Sequence, residues 1–182
     1  MKDFLKSRFT LRNLKLFDII IFAMLISLEI VFDRFLVISA WNIKISLGFL
    51  PTALIAYRYG CLGGMIVAAL SDFIGAILFP FGPYFVGFTL TAALTGIIFG
   101  LFLYRNNKIL NTLFATFINS ILCTLLLNTL CISFLYGANF KAVMVSRIPQ
   151  LLIITFAQIV TFNYLNVFDL AFKRLPNKQK IR

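Results

Sequence analysis

Residues 17–32 read FDIIIFAMLISLEIVF, a run from Phe17 to Phe32 broken only by Asp18, Ser27 and Glu29. The run is too long for the apolar part of a signal peptide, carries two carboxylates, and has no A-x-A cleavage pattern after it. It is therefore expected to be a retained helix that crosses a membrane, continuing to about residue 37; crossing a core of about 30 Å takes about 20 residues. The rest of the chain has the same character. Of its 182 residues, 61 % are apolar and 13 % charged, with a mean hydropathy of +0.97. A soluble domain of this size has too much surface to hide so many apolar side chains. The composition excludes a soluble enzyme, a disulfide scaffold and a disordered chain, and points to an integral membrane protein.

Scanning outward from helix 1 (17–37) predicts five further spans: helix 2 at 46–58, helix 3 at 61–79, helix 4 at 84–104, helix 5 at 109–135 and helix 6 at 148–170. Fusing helices 2 and 3 would place Arg58 near mid-membrane at a cost of about 3 kcal/mol. A turn at Tyr57-Arg58-Tyr59-Gly60 avoids this and favours six helices. No linker or low-complexity tract divides the chain, so a single bundle is expected, with basic tails at 1–16 and 171–182.

The 17 Lys and Arg outnumber the 6 Asp and Glu. With both termini in the cytoplasm, thirteen of the seventeen cations fall on the inner side and only Arg34, Lys44, Lys141 and Arg147 on the outer. That is a positive-inside distribution. The basic excess thus orients the bundle, and nucleic acid is not an expected partner.

Several constellations carry chemistry. On helix 1, Ala23, Ser27 and Ile30 share one stripe and Phe22, Ile26, Glu29 and Asp33 another. Ala23/Ser27 has the small-xxx-small spacing that admits close approach of another helix; Gly60/Gly64 and Gly96/Gly100 repeat it. Glu29 and Asp72 are ionisable groups deep in spans, where such groups face a cavity or a partner. Between helices 3 and 4, Phe79-Pro80-Phe81-Gly82-Pro83-Tyr84-Phe85 is aromatic and stiffened by two prolines. Trp41, the single tryptophan, follows helix 1. Such aromatics serve as interface anchors or stack on a flat ligand. Helix 6 opens with Ser146 as a candidate N-cap and Pro149 in its first turn. Arg147, Gln150, Ile154, Gln158 and Thr161 form a stripe that should face protein or water, and Arg147 with Lys141 places positive charge at the outer mouth.

Cys61, Cys123 and Cys131 lie in apolar stretches without metal-ligand spacing, and the chain has no histidine. Neither a phosphate-cradling GxxxxGK[ST], a GxSxG nor an HExxH motif occurs. No catalytic residue, cofactor or metal site is expected.

The runs Ile45-Ser46-Leu47-Gly48-Phe49-Leu50-Pro51 and Ala69-Leu70-Ser71-Asp72-Phe73-Ile74-Gly75-Ala76, with the aromatic loop continuing through Val86-Gly87-Phe88-Thr89-Leu90-Thr91-Ala92, resemble the substrate-binding S components of energy-coupling factor (ECF) transporters, most of all the folate-specific branch. The resemblance covers roughly residues 17–105. It implies a six-helix, non-catalytic subunit of a bacterial plasma membrane that captures a vitamin from outside. It also implies docking onto a transmembrane T subunit carrying two ATPases, through small residues of helix 1. Ala23 matches that pattern and Ser27 replaces its second alanine; Val86 stands where the folate branch has proline. The chemistry of the residues themselves suits a folate: Glu29 or Asp72 can accept from the pterin N–H donors, and its flat ring can stack on Trp41, Phe79, Tyr84 or Phe88. Arg147, Arg34 or Lys141 can bond the carboxylate tail, Arg34 projecting from the Ala23/Ser27 stripe, and Gln150 beside Arg147 is a further candidate ligand-binding residue. Another planar vitamin, such as a thiamine precursor or riboflavin, and a structural protein of cell-shape machinery are the alternative readings.

Overall fold

A computed structural model describes residues 16–40, 43–104 and 109–173, the side chains of 38–40, 43–45, 109 and 163–173 lying outside that description. The order is α1 (Leu16–Arg34), a hairpin of β1 (Ile38–Ala40) and β2 (Ile43–Ile45), α2 (Phe49–Leu78), α3 (Val86–Leu103), α4 (Ile109–Ile118), a π-helical stretch (Asn119–Leu127), α5 (Asn128–Tyr136), α6 (Phe140–Ser146) and α7 (Ile148–Lys173). The helices Phe49–Leu78, Val86–Leu103 and Leu110–Tyr136 are long and apolar enough to cross a membrane, and α6 with α7, bent by 45°, makes a fourth if taken as one span. α1 carries Asp18, Glu29, Asp33 and Arg34 and falls outside that count. This is a membrane protein built almost wholly of helix.

The hairpin departs from the all-helical expectation. α1 stops at Arg34, three residues short of the predicted end; the N–H groups of Phe35 and Leu36 both close on the Val31 carbonyl. The chain then runs extended through β-branched residues, which favour strand, with Ile38 opposite Ile45 and Ala40 opposite Ile43. β2 packs along α7. α2 consequently begins at Phe49 rather than 46. α3 begins at Val86 rather than 84, because Phe85 is extended.

The predicted pair of helices 2 and 3 is one element with a break at a single residue, Gly60, whose φ of 75° suits glycine. No loop separates the halves. Asp18 accepts a hydrogen bond from the Tyr59 hydroxyl, and Phe22 packs edge-on against the Tyr59 ring at 5.1 Å, so α1 starts beside the break.

Gly60, Gly64, Gly96 and Gly100 bring the backbones of α2 and α3 together. A Cβ on Gly64 would sit 2.5 Å from the Gly96 carbonyl oxygen, and one on Gly96 would overlap the Gly64 carbonyl. One on Gly100 would meet the Gly60–Cys61 backbone. Lipid is as apolar as leucine, so no hydrophobic force joins helices in a membrane; close backbone approach does. The core above this crossing is aromatic: Phe99 stacks edge-on against Phe162 at 5.5 Å, and Phe162 against Phe49 at 5.9 Å, with Ala53, Ala56 and Ala115 filling between.

Candidate functional site

α1 turns its two predicted stripes in opposite directions. Phe22 and Glu29 are buried, while Ala23 and Ser27 are exposed beside Ile20, Met24 and Val31. The Ser27 hydroxyl donates to the Ala23 carbonyl at 2.9 Å, folding its polar group back onto its own helix. This leaves a shallow, small-residue face.

On the buried side, Glu29 accepts a hydrogen bond of 2.6 Å from Thr52, whose own exposure is 1 %. Asp33, one turn further, accepts from Ser46 at 2.6 Å and lies where a Cβ on Gly48 would be, over the first turn of α2. A carboxylate there complements the positive end of the α2 dipole. The charges of α1 therefore hold the start of α2.

A second network joins α1, α2 and the aromatic loop. Asp72 accepts from Thr89 at 2.8 Å, and the Thr89 hydroxyl lies 3.0 Å from that of Tyr84. Arg34 stands 3.9 Å from Asp72, with its guanidinium 5.2 Å from the centre of the Phe81 ring. The expectation that Arg34 projects from the Ala23/Ser27 stripe is corrected here. As the last residue of α1 it sends its long side chain across to α2, where Gly75 leaves room for it. Arg34, Asp72 and Tyr84 thus come together. Phe79 packs on Phe35 at 5.0 Å, whereas Phe88 packs on Phe85 at 6.1 Å, in a separate layer with Phe134. Trp41 lies outside the described residues.

The third grouping lies between α7 and the helical rod from α4 to α5. Arg147, Gln150 and Gln158 are 6 %, 3 % and 2 % exposed, so the predicted polar stripe does face inward. Arg147 is the corner residue between α6 and α7: its N–H bonds to the Met144 carbonyl, and its carbonyl accepts from Leu151 in the first turn of α7. The Ser146 hydroxyl donates to Val143 at 2.8 Å, back into α6. The Arg147 guanidinium reaches the Thr124 carbonyl at 3.4 Å. The π stretch explains why that oxygen is available. The Asn128 N–H bonds to Cys123, five residues back; where pairing returns to four residues back, the next carbonyl, that of Thr124, is passed over. The rod carries a second polar stripe that the sequence reading did not single out: Thr112, Thr116, Asn119, Ser120 and Cys123, all buried. Its spacing of three and four residues was the available signal. Thr155 on α7 donates to Ser120 at 2.8 Å and locks the two stripes in register. Thr52 and Thr89, the partners of the deep carboxylates, were also missed, because a threonine in an apolar helix is unremarkable until its neighbour is known.

The arrangement provides a buried cation, amides and hydroxyls within an apolar bundle. Among the described residues, no group of three or more His, Cys, Asp or Glu could hold a metal ion.

The sequence profile described as ECF transporter, substrate-specific component, matches residues 17–168. The chain is 40 % identical over 129 residues to the folate transporter FolT of Clostridium novyi (strain NT), covering 70 % of this chain and 75 % of that protein. It is 37 % identical over 89 residues to the folate transporter FolT of Leuconostoc mesenteroides subsp. mesenteroides, covering 49 % of this chain and 48 % of that one. A solved structure described as a crystal structure of FolT bound with folic acid superposes with a TM-score of 0.79 at 33 % identity, over 84 % of this chain and 93 % of the other. Fold, length and sequence agree: the chain belongs to the substrate-specific components of ECF transporters, and is a non-catalytic subunit.

Proposed function

We propose that this chain captures a folate at the outer face of a bacterial plasma membrane and delivers it through a T subunit driven by two ATPases. The observation that carries the reading is the pair of polar stripes, on α7 and on the rod from α4 to α5, buried against each other with Arg147 at one end. A bundle in lipid gains nothing from burying such groups unless they meet each other or a ligand. The names of the two bacterial relatives and of the folic-acid-bound structure supply the ligand class.

In this reading the chain is one membrane domain of six spans, counting the halves of α2 separately, with both termini cytoplasmic. The hairpin, the aromatic loop and the α6–α7 corner then open outward. Arg147 and Gln150 take the carboxylate tail of the ligand, with charge-assisted bonds from the guanidinium and Lys141 nearby at the mouth. Phe79, Tyr84 and Phe88, with Trp41, offer aromatic surface to the ring. The Arg34–Asp72 pair frames the mouth, and Glu29 closes the wall behind it. The exposed Ala23/Ser27 face receives the T subunit, since small side chains let a partner helix approach closely.

The test is a titration of the purified protein with folic acid, thiamine and riboflavin. One-to-one binding of folic acid in the nanomolar range is expected, and absence of binding to any of the three would overturn the reading. A reporter fused after Arg182 should be active only when cytoplasmic.

A further inference from the structure

The π stretch Asn119–Leu127 reads NSILCTLLL and holds no glycine, proline or charge, so no residue in it calls for a change of helix register. An α-helix is the better backbone for such a sequence; π turns are rare and stand frequently at functional sites. Two bonds from the α6–α7 side reach the stretch. The Thr155 hydroxyl donates to that of Ser120 at 2.8 Å, and the Arg147 guanidinium donates to the Thr124 carbonyl at 3.4 Å. Closing on the fifth residue back instead of the fourth takes up one extra residue of chain. The Asn128 N–H therefore reaches Cys123, and the Thr124 carbonyl, which an α-helix would give to Asn128, leaves the ladder.

The released oxygen meets a buried cation, since Arg147 is 6 % exposed. A guanidinium carries its N–H donors in one rigid planar fork, so a bond at one edge fixes where the fork points. A carbonyl is a dipole and not a counter-ion: it orients the guanidinium without neutralising it, as a carboxylate would. The same bundle shows the other solution at Arg34, which stands 3.9 Å from Asp72.

Resting on the reading of this chain as a vitamin-capture subunit, we infer that the extra residue of the π stretch is a positioning device: it frees the Thr124 carbonyl to aim the Arg147 guanidinium at the anionic end of the ligand. The device makes the site select acids over neutral molecules of the same shape. Thr124 acts through Arg147 and needs no contact with the ligand itself.

The test removes the extra residue. Deleting Leu122, which is 41 % exposed and lies off the polar stripe, returns the later N–H groups to pairing four residues back and gives the Thr124 carbonyl to its own helix. The probes are folic acid and its dimethyl ester, which lacks the charged tail. The parent is expected to bind the acid about tenfold more tightly than the ester. The deletion is expected to weaken the acid about tenfold and leave the ester within about twofold of its affinity for the parent. In an Arg147→Met background the deletion should cost the acid nothing more, because both changes remove the same contact. A deletion that keeps the parent's preference for the acid, that weakens both ligands alike or that adds fully to Arg147→Met would overturn the device; so would a parent that binds acid and ester equally. If the deletion does not fold, Arg147→Lys decides: it keeps the charge but loses the fork, so the preference for the acid should fall about tenfold, and a lysine variant with the parent's preference would overturn the device. Failure of the parent to bind folic acid at all would instead overturn the vitamin-capture reading itself.

Discussion

Two helix pairs in this molecule are joined by opposite means. α2 and α3 meet at Gly64 and Gly96, backbone against backbone, with no side chain between them. α7 and the rod from α4 to α5 meet through threonine, serine, asparagine, glutamine and arginine side chains, several with oxygens left open. The first contact is so close that even a methyl group on Gly64 or Gly96 would run into the facing backbone. The second keeps buried side-chain oxygens with no hydrogen-bond partner among the described residues. In a solvent that offers no hydrophobic drive between helices, the first kind of contact builds a scaffold, and the second, in the function proposed above, lines the binding cleft.

The contrast is broken most directly at the crossing. Gly96→Leu places a branched side chain into the Gly64 backbone and should abolish folded protein, read as loss of the monodisperse peak in detergent; a folded variant with the parent melting temperature would show that the crossing is not the scaffold. Next in size, Ala23→Leu should stop transport in reconstituted vesicles while leaving folic acid affinity unchanged, because the substitution fills the exposed face of α1 and touches neither contact. Loss of affinity together with transport would mean that Ala23 packs within the bundle. On the unsaturated side, Arg147→Met should weaken folic acid about 10- to 100-fold, since a charge-assisted bond is worth about 1.5–3 kcal/mol, with little change in thermal midpoint. Equal losses of affinity and stability would make Arg147 a structural cation of the corner. The smallest effect is expected from Thr52→Val, which removes the hydroxyl donor from buried Glu29 and should cost about 1–3 kcal/mol of stability; thermal melting of the variant measures it.

Much of this was legible in the sequence, and the reasons are specific. Gly60 stands two residues after Arg58, so the need to keep a cation out of mid-membrane and the one residue type suited to φ of 75° coincide in the same turn of the chain. Glu29 falls on the stripe opposite Ala23 by helical geometry alone, and it is buried as that geometry requires. The paired glycines announced a close approach, though not between which helices. By contrast, nothing in Asn119–Leu127 marks a π register: no glycine, no proline and no charge. Arg34 was read on the wrong side because helical geometry places a Cα, whereas a terminal arginine follows its partner, here Asp72. The hairpin between α1 and α2 escaped notice because three residues per strand make too short a pattern to separate from a loop.

By itself, then, the sequence determined that this is a membrane protein, that α1 has an inner and an outer face, that the chain bends at Gly60 and that α7 carries a buried polar stripe. Each of these follows from local composition and from the period of a helix, which any window of residues contains. That Ser120 meets Thr155, that the Thr124 carbonyl meets Arg147, and that both deep carboxylates hold a threonine were decided only by the tertiary structure. Those are matters of register between segments far apart in the chain, and register is set by packing and by single bonds such as Ser120–Thr155.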